Sequence, residues 1–285
     1  MSAKPGNARQ VEVYDSIDAL APAQWNALDG ADNPFVRHEY LSALEHAGCV
    51  GASSGWQPCH LVLRDADGCV DGAMPLYQKT DSWGEYVFDF AWAQAYGQAG
   101  LDYYPKLVSA SPYTPVPGTR LLLAPGADAA ETVAVLLQGS RELAAQLDAS
   151  SIHVLFPHDA QLPALERAGF LLRMDCQFHW RNEGYASFDD YLARMKSRKA
   201  KKVRRERRRV AESDIAFDWY DGERLEAAPW EDVYRFYAST FLMRGRPPYF
   251  PPELFTELRV TMPENLVVIV ARRDTRPVAC AVCFR

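Results

Sequence analysis

The segment "VEVYDS" at 11–16 alternates apolar and polar positions, which predicts a short half-buried strand. "SIDALAPAQWNAL" follows as a first short helix. In "DNPFVRHEYLSALEHAG" the pattern predicts a second helix, with Asn33 as N-cap, Pro34 at the first helical position and Gly48 as the stop. "WQPCHLVLRDADGCVDGAMPLYQK" predicts two strands, 58–64 and 69–79, turned back on each other at Asp67-Gly68. The stretch 80–120 breaks this regularity. It is dense in aromatics, Gly and Pro and poor in aliphatic repeats, with a short helix expected near 88–99 and a strand near 105–111. A long irregular segment of this kind serves either as a binding segment or as an aromatic minicore under a loop.

Periodicity then returns. "AAETVAVLLQGSRELAAQL" places Val133, Leu136, Leu137, Leu143 and Leu147 on one side of a helix. "SSIHVLFP" reads as a buried strand, "DAQLPALERAG" as a helix closed by Gly169, and "FLLRMDCQFHWRN" as a further strand. Ser187 and Asp190 have capping-box spacing at the head of one helix expected over 188–211. Its apolar seam is thin: Phe188, Leu192, Met195, Val203 and Val210, with Lys199 and Glu206 filling the remaining positions. Val203 is expected to face the core. "IAFDWYDG" predicts a strand, "APWEDVYRFYASTFLMRG" and "PPELFTELRVTM" two helices, and "NLVVIVARRDTRPVACAVCFR" a hairpin whose second strand runs to the end of the sequence. The order strand, helices, hairpin with a charged turn occurs twice. "CHLVLRDADGCVDGAMPLY" and "LVVIVARRDTRPVACAVCF" are its two hairpins. The expectation is a mixed α/β chain of two tandem units, 1–184 and 185–285, the second copy incomplete.

Composition narrows the function classes. The 285 residues are 48% hydrophobic and 12% aromatic, as in a globular protein with a sizeable core. Net charge is −6, yet residues 194–209 hold eleven Lys or Arg against Glu206 alone, a local +10 that leaves −16 for the rest. An acidic molecule with one basic stripe argues against a general nucleic-acid binder and leaves a local anionic target open. No apolar run reaches the length of a membrane-spanning helix, and the polar "MSAKPGNARQ" lacks the apolar stretch of a signal peptide. The six cysteines are sparse, which suits reduced thiols and a cytoplasmic location. Cys280 and Cys283 tempt a redox or zinc reading. On a strand, however, positions three apart face opposite sides, so plain buried thiols are expected. His38, His60, His153, His158 and His179 are scattered without metal-ligand spacing, so no metal is expected. No nucleophile elbow or P-loop occurs.

Several stretches together resemble a known family: "NPFVRHEYLSALE", "GAMPLYQK", "GEYVFDFAWAQAYGQAGLDYYPKL", "PYTPVPGTRLL", "SSIHVLFP", "YLARMKSRKAKKVRRERRRV" and "VARRDTRPVACAV". They resemble the Fem-like group of bacterial peptidoglycan-biosynthesis proteins, within the GNAT superfamily of N-acyltransferases. The resemblance implies a tandem GNAT-like fold. It also implies transfer of an acyl group from a CoA thioester or an aminoacyl-tRNA to an amine acceptor, a small molecule or a cell-wall precursor. In that pattern a Lys/Arg-rich helix opens the second unit. The superfamily's phosphate cradle resembles Arg/Gln-x-x-Gly-x-Gly/Ala; here "PVPGTRLLLAPGADAAET", with Gly118 and Gly126, matches it poorly, which weakens acyl-CoA as the donor.

Acyl transfer to an amine needs a base for the amine proton, donors that polarise the carbonyl, and a proton for the leaving group. Glu85 and Asp89 stand four apart, so on a helix they would share a face; Asp89 is the first choice as base and Tyr104 as proton donor. Tyr86, Trp92, Tyr96, Tyr103 and Tyr113 are candidates to line a cleft, Tyr113 also to donate a proton. Lys106 and Arg120 are candidates to hold a carboxylate or phosphate. The segment 85–120 is expected to form a cleft wall near the junction of the two units. Arg204, Arg205 and Arg208 are candidates for the phosphates of a CoA, tRNA or lipid-linked substrate. Plain packing remains open for the aromatics, and a solvated face for the basic helix. Two other classes stay open: a nucleic-acid binder using 194–209, and a non-catalytic truncated homologue.

Overall fold

The structure is a computed structural model and describes residues 9–285. The chain begins with β1 (Val11–Tyr14), a 3₁₀ turn at Ile17–Ala19, α1 (Pro22–Asn26) and α2 (His38–His46). Four short strands follow: β2 (Trp56–Pro58), β3 (His60–Arg64), β4 (Val70–Met74) and β5 (Tyr77–Lys79). Next come α3 (Phe90–Gln98), β6 (Lys106–Ser109), β7 (Leu122–Leu123), α4 (Ala129–Gln146), β8 (Ile152–Val154) and α5 (Leu162–Arg167). Beyond a long extended stretch lie α6 (Phe188–Ala193), α7 (Ser197–Ala211), β9 (Ile215–Asp221), α8 (Trp230–Leu242) and α9 (Pro252–Thr261). The hairpin β10 (Leu266–Arg273) and β11 (Arg276–Phe284) ends the chain. The mixed α/β class expected from the sequence is the one observed.

Contacts gather these elements into two units. One holds the chain up to Leu172 together with Pro247–Asn265 and Phe284–Arg285; the other holds Arg173–Arg246 and Leu266–Cys283. A single cut near residue 184 is therefore too simple. Helix α9, expected in the second unit, packs against α2 in the first and buries Leu254, Phe255 and Leu258. Polar contacts fix it there. His46 of α2 lies 2.8 Å from Glu257 Oε1 of α9 and 2.6 Å from Asp18 Oδ2. Periodicity reports that a helix has an apolar face, and is silent about which neighbour that face finds.

The first unit contains two sheets. One has the order β1-β3-β4-β7 and is antiparallel throughout. The other has the order β2-β5-β6-β8, with β6 and β8 parallel. The expected hairpin 58–79 is present, but each arm is cut in two and passes from one sheet to the other. The cuts fall beside Pro58 and Pro75, which have no N–H to give a ladder. At the tip, Asp65 Oδ1 accepts from the Asp67 and Cys69 N–H groups, both at 2.9 Å, and Gly68 takes φ 83°. The main apolar cluster joins Leu61 and Leu63, Met74, Leu107, Leu121 and Leu165 to Leu136, Leu137 and Leu143 of α4. Full burial of each such side chain stabilises by roughly 1.5–3 kcal/mol. Helix α4 starts where Asp128 Oδ1 caps the N–H groups of Ala130 (3.0 Å) and Glu131 (3.1 Å). Gly72 lets it approach β4: a Cβ there would lie 2.6 Å from Thr132 Cγ2.

The second unit is a three-stranded antiparallel sheet, β11-β10-β9, in which Ile269 stands opposite Trp219. Alternate residues of β10, Leu266, Val268 and Val270, are fully buried, with Leu225 and Val233 also buried in this unit. The capping box at Ser187 forms as expected: Asp190 N–H donates to Ser187 Oγ at 3.2 Å, and Ser187 N–H to Asp190 Oδ2 at 3.1 Å.

Four expectations need correction. Helix α2 begins at His38, because Asn33 instead closes a tight turn through its Oδ1 and the Phe35 N–H (3.0 Å). The strand expected at 170–182 is extended but joins no ladder. Leu171 (94% exposed) and Phe178 (98%) stand in water, because alternation without a neighbouring edge makes no sheet. The helix expected over 188–211 breaks at Arg194–Lys196, where Lys196 turns to ψ 135°. The break turns Ala200 inward in place of Lys199, and Val203 is half-buried. Of the terminal thiols, Cys280 is half-buried and Cys283 exposed, on an edge strand.

Candidate active site

Lys79 and Lys106 are directly opposite each other on β5 and β6, and both are fully buried. Two like charges facing across a ladder repel, so each ammonium needs its own partners. Lys79 Nζ donates to Asp81 Oδ1 (3.2 Å) and the Trp83 carbonyl (3.3 Å) and lies 4.0 Å over the Trp56 ring. Burial lowers its pKa to about 8. Lys106 Nζ donates to Asp89 Oδ2 (2.5 Å), Glu85 Oε2 (2.9 Å) and Ser82 Oγ (3.1 Å). The segment 81–89 is thus folded around two ammonium groups, and this gathers the acids.

Glu85 and Asp89 do meet, though on no common helix face. Both precede α3 in a loop, and they converge because Lys106 binds each of them. One oxygen of each carboxylate, Glu85 Oε1 and Asp89 Oδ1, is buried and makes no hydrogen bond. Their environments push the two acids apart. For Asp89 burial is the largest influence and acts upward, but hydrogen bonds from Lys106 and Tyr103 outweigh it and hold the carboxyl at about 2. For Glu85 burial prevails over Lys106 and the pKa rises above the usual carboxylate value. Environments that separate two neighbouring acids in this way are how acid and base roles are divided at catalytic sites.

Tyr103 donates to Asp89 Oδ2 at 2.6 Å, and Tyr104 OH lies 2.7 Å from Ser82 Oγ. Burial raises the pKa of both phenols, so each is a proton-bearing group at neutral pH. Tyr96 packs edge-on against Tyr103 with ring centroids 5.1 Å apart. Seven of the candidate residues therefore form or border one cluster or its loop: Glu85, Tyr86, Asp89, Tyr96, Tyr103, Tyr104 and Lys106. Tyr86 and Trp92 point outward, 38% and 52% exposed. The rest lie apart. Tyr113 donates to the Cys49 carbonyl (2.8 Å) and packs against Tyr249 of the returning segment, centroids 4.9 Å apart. Arg120 is fully buried and gives its N–H groups to the carbonyls of Leu155 (2.9 Å), Val116 (2.7 Å) and Thr119 (3.3 Å). It fixes the loop before β7, and each of its three side-chain nitrogens has a carbonyl partner, so in this structure it serves the loop and not the expected carboxylate or phosphate. Lys106, too, already has its carboxylates within the chain.

On the second unit, Arg204, Arg205 and Arg208 are exposed along α7. Arg204 lies 3.8 Å from Asp189 and Arg208 4.0 Å from Glu212, at the limit of an ion pair. Arg205 and Arg208 line a shallow basic concavity with Lys196, Arg198, Lys199, Lys201 and Lys202.

Sequence reasoning passed over Ser82, Lys79 and His46. Lys79 had a usable signal, a lysine inside an apolar strand pattern. Ser82 had none. Among the described residues no group of three or more His, Cys, Asp or Glu is placed to hold a metal, and no helix is long and apolar enough to cross a membrane. The sequence profile of the FemAB-like family, described as peptidoglycan biosynthesis/recognition, matches residues 16–285. No curated protein matches the chain.

Proposed function

The chain belongs to the FemAB-like family, which ties it to peptidoglycan-related transferase chemistry, and from that premise we propose that it is an N-acyltransferase of the aminoacyl type. The donor in this reading is an aminoacyl-tRNA in the cytoplasm, the acceptor an amine of a cell-wall precursor, and the fold a GNAT-like tandem. An acyl-CoA donor fits less well, because the Gly118–Gly126 region lacks the superfamily's phosphate cradle.

The observation that carries the reading is the pair of buried carboxylates on Lys106, each with one oxygen bound to it and one left without a donor. Two such unpaired acceptors on carboxylates that share one lysine suit an ammonium or amine, which brings the hydrogens they lack. Glu85, whose proton affinity is raised, fits the base better than Asp89 does; Asp89 fits the role of holding Lys106 and Tyr103. Tyr104, on Ser82, fits the donor of a proton to the leaving group. The cluster is closed to solvent, so the loop 83–92 has to open when the acceptor binds. The basic face of α7 fits the donor's phosphates through Arg204, Arg205 and Arg208.

The test is a transfer assay with labelled aminoacyl-tRNA, and separately with acetyl-CoA, against a cell-wall-precursor peptide bearing a free amine. Transfer from tRNA is expected. Glu85→Gln should cut the rate by about 10²–10⁴-fold while leaving the fold intact. A Glu85→Gln enzyme with full activity removes Glu85 as base, and the same result for Asp89→Asn removes the cluster from the chemistry.

A further inference from the structure

A continuous line of hydrogen bonds runs from Glu85 through Lys106 and Ser82 to Tyr104. An ammonium has three hydrogens and accepts none. Those of Lys106 are all placed: on Glu85 Oε2 at 2.9 Å, on Asp89 Oδ2 at 2.5 Å and on Ser82 Oγ at 3.1 Å. Ser82 therefore accepts from Lys106, and its own hydrogen is left to give. Tyr104 OH stands 2.7 Å from Ser82 Oγ, and either oxygen can be the donor of that pair. Asp89 also draws on the Ser82 hydroxyl, which helps to lower its carboxyl. A hydroxyl hydrogen rotates to suit its neighbours, so Ser82 turns to Tyr104 whenever the phenol oxygen gives up its proton.

The line is insulated along its length. Glu85, Lys106 and Ser82 are buried, as is Asp89 beside them, and only Tyr104 at the far end is half-buried. In a low-dielectric interior, hydrogen bonds joined in a chain polarise and strengthen one another. Lys106 and Ser82 need touch no substrate. They act through the groups at the two ends, Glu85 and Tyr104.

We infer that Glu85, Lys106, Ser82 and Tyr104 form a proton relay, which returns the proton taken from the acceptor amine to the leaving group, with Ser82 as its positioning residue. The relay rests on the transferase reading above for the roles of its two ends; its inner links rest on the hydrogen bonds alone. The protons balance. With the loop 83–92 closed over the acceptor, the amine attacks the ester carbonyl. A C–N bond forms, and a proton passes from the nitrogen to Glu85 Oε1, the oxygen without a partner. The C–O bond to the leaving group breaks, and the leaving oxygen keeps the electron pair and takes the proton of Tyr104. Ser82 gives its hydrogen to the phenolate and takes one from Lys106. The last torsion of a glutamate is roughly two-fold, so a half-turn of the Glu85 carboxyl exchanges its oxygens and brings the new proton to Lys106. Each side chain ends as it began, and one proton has moved from nitrogen to oxygen.

The experiment places fluorotyrosine at position 104 of the full chain and follows its fluorine NMR signal against pH. Asp89 is held at about 2 and Glu85 titrates above the usual carboxylate value, so the two acids are told apart. The signal is expected to shift as Glu85 gains its proton. That shift should be lost in Glu85→Gln and in Ser82→Ala, and kept in Ser82→Thr, which restores the hydroxyl. Where circular dichroism shows Ser82→Ala unfolded, Ser82→Cys, whose thiol is a weak donor, takes its place. A shift that survives loss of the hydroxyl is an effect of charge through space and overturns the relay. So does the absence of any shift in the wild-type chain. In the aminoacyl-transfer assay, Ser82→Ala should lower kcat about 10²-fold with KM kept, and Ser82→Thr should recover most of it. Full kcat in Ser82→Ala overturns the relay and leaves the transferase reading standing. No transfer from any donor, with a fluorine shift that depends on Ser82, leaves the proton path standing and removes the transferase reading.

Discussion

The molecule carries positive charge in two opposite ways. In the first unit Lys79, Lys106 and Arg120 are fully buried, each surrounded by acceptors drawn from its own neighbourhood. In the second unit the bases of α7 stand in water, and their ion pairs sit at 3.8–4.0 Å on side chains more than half exposed. Numerically the second region dominates, and it is what composition detects first. Energetically the first dominates, because an ammonium removed from water must be matched by fixed acceptors, whereas one left in water need not be. The difference shows that an abundance of charge marks a surface, while a few charges inside an apolar segment mark an organised site.

The strongest test removes Lys106. In Lys106→Met two carboxylates lose their shared partner, and the first unit should lose about 3–5 kcal/mol of stability in urea unfolding. Neutralising the acids as well, in Lys106→Met/Glu85→Gln/Asp89→Asn, should restore most of it. A Lys106→Met protein as stable as the wild type would erase the contrast between the two regions.

His46 lies between the extremes, half-exposed and flanked by Glu257 and Asp18, which raise its pKa above the usual histidine value. A group whose folded pKa is raised stabilises fully below its unfolded value and loses that contribution as pH rises through the folded one. Thermal melts should therefore show a modest loss of stability as pH climbs above the usual histidine value, absent in His46→Gln. Facing the ring from α9 and the first 3₁₀ turn are only carboxylates in ion-pair range, Glu257 and Asp18. A pH slope identical in His46→Gln would show that α9 is held by its apolar contacts alone.

The smallest effect on stability is expected on α7. Arg205→Glu/Arg208→Glu should change unfolding free energy by no more than about 0.5 kcal/mol. If these residues meet donor phosphates, the same variant should weaken aminoacyl-tRNA binding and reduce the salt slope by about 2. Marked unfolding would place α7's bases among the structural charges and remove the contrast from that side.

Particular residues show how far pattern reading reaches. The hairpins at 58–79 and 266–284, helix α4 and the cap at Ser187 follow from local rules. A period of two or 3.6, a turn dipeptide and a capping side chain act within a few residues, so the sequence displays them. The segment 85–120 stood out as a candidate site because aromatics and acids crowd where aliphatic repeats are missing. Its geometry was not legible. Glu85 and Asp89 share no helix, Arg120 and Tyr113 belong to loop carbonyls, and the partner that unites the acids, Lys106, comes from a strand seventeen residues beyond Asp89.

The sequence by itself determined most of the elements, the mixed α/β class, the family and the stripe of charge on α7, since each depends on neighbours along the chain. Only the tertiary structure decided that α9 returns to the first unit, that the chain at 170–182 has no ladder, and that Lys106 sits opposite Lys79 and draws two carboxylates inward while their neighbours' rings turn out. Those outcomes depend on which surfaces meet through space. That is set by packing and by the need to pair every buried charge, quantities that no window of sequence contains.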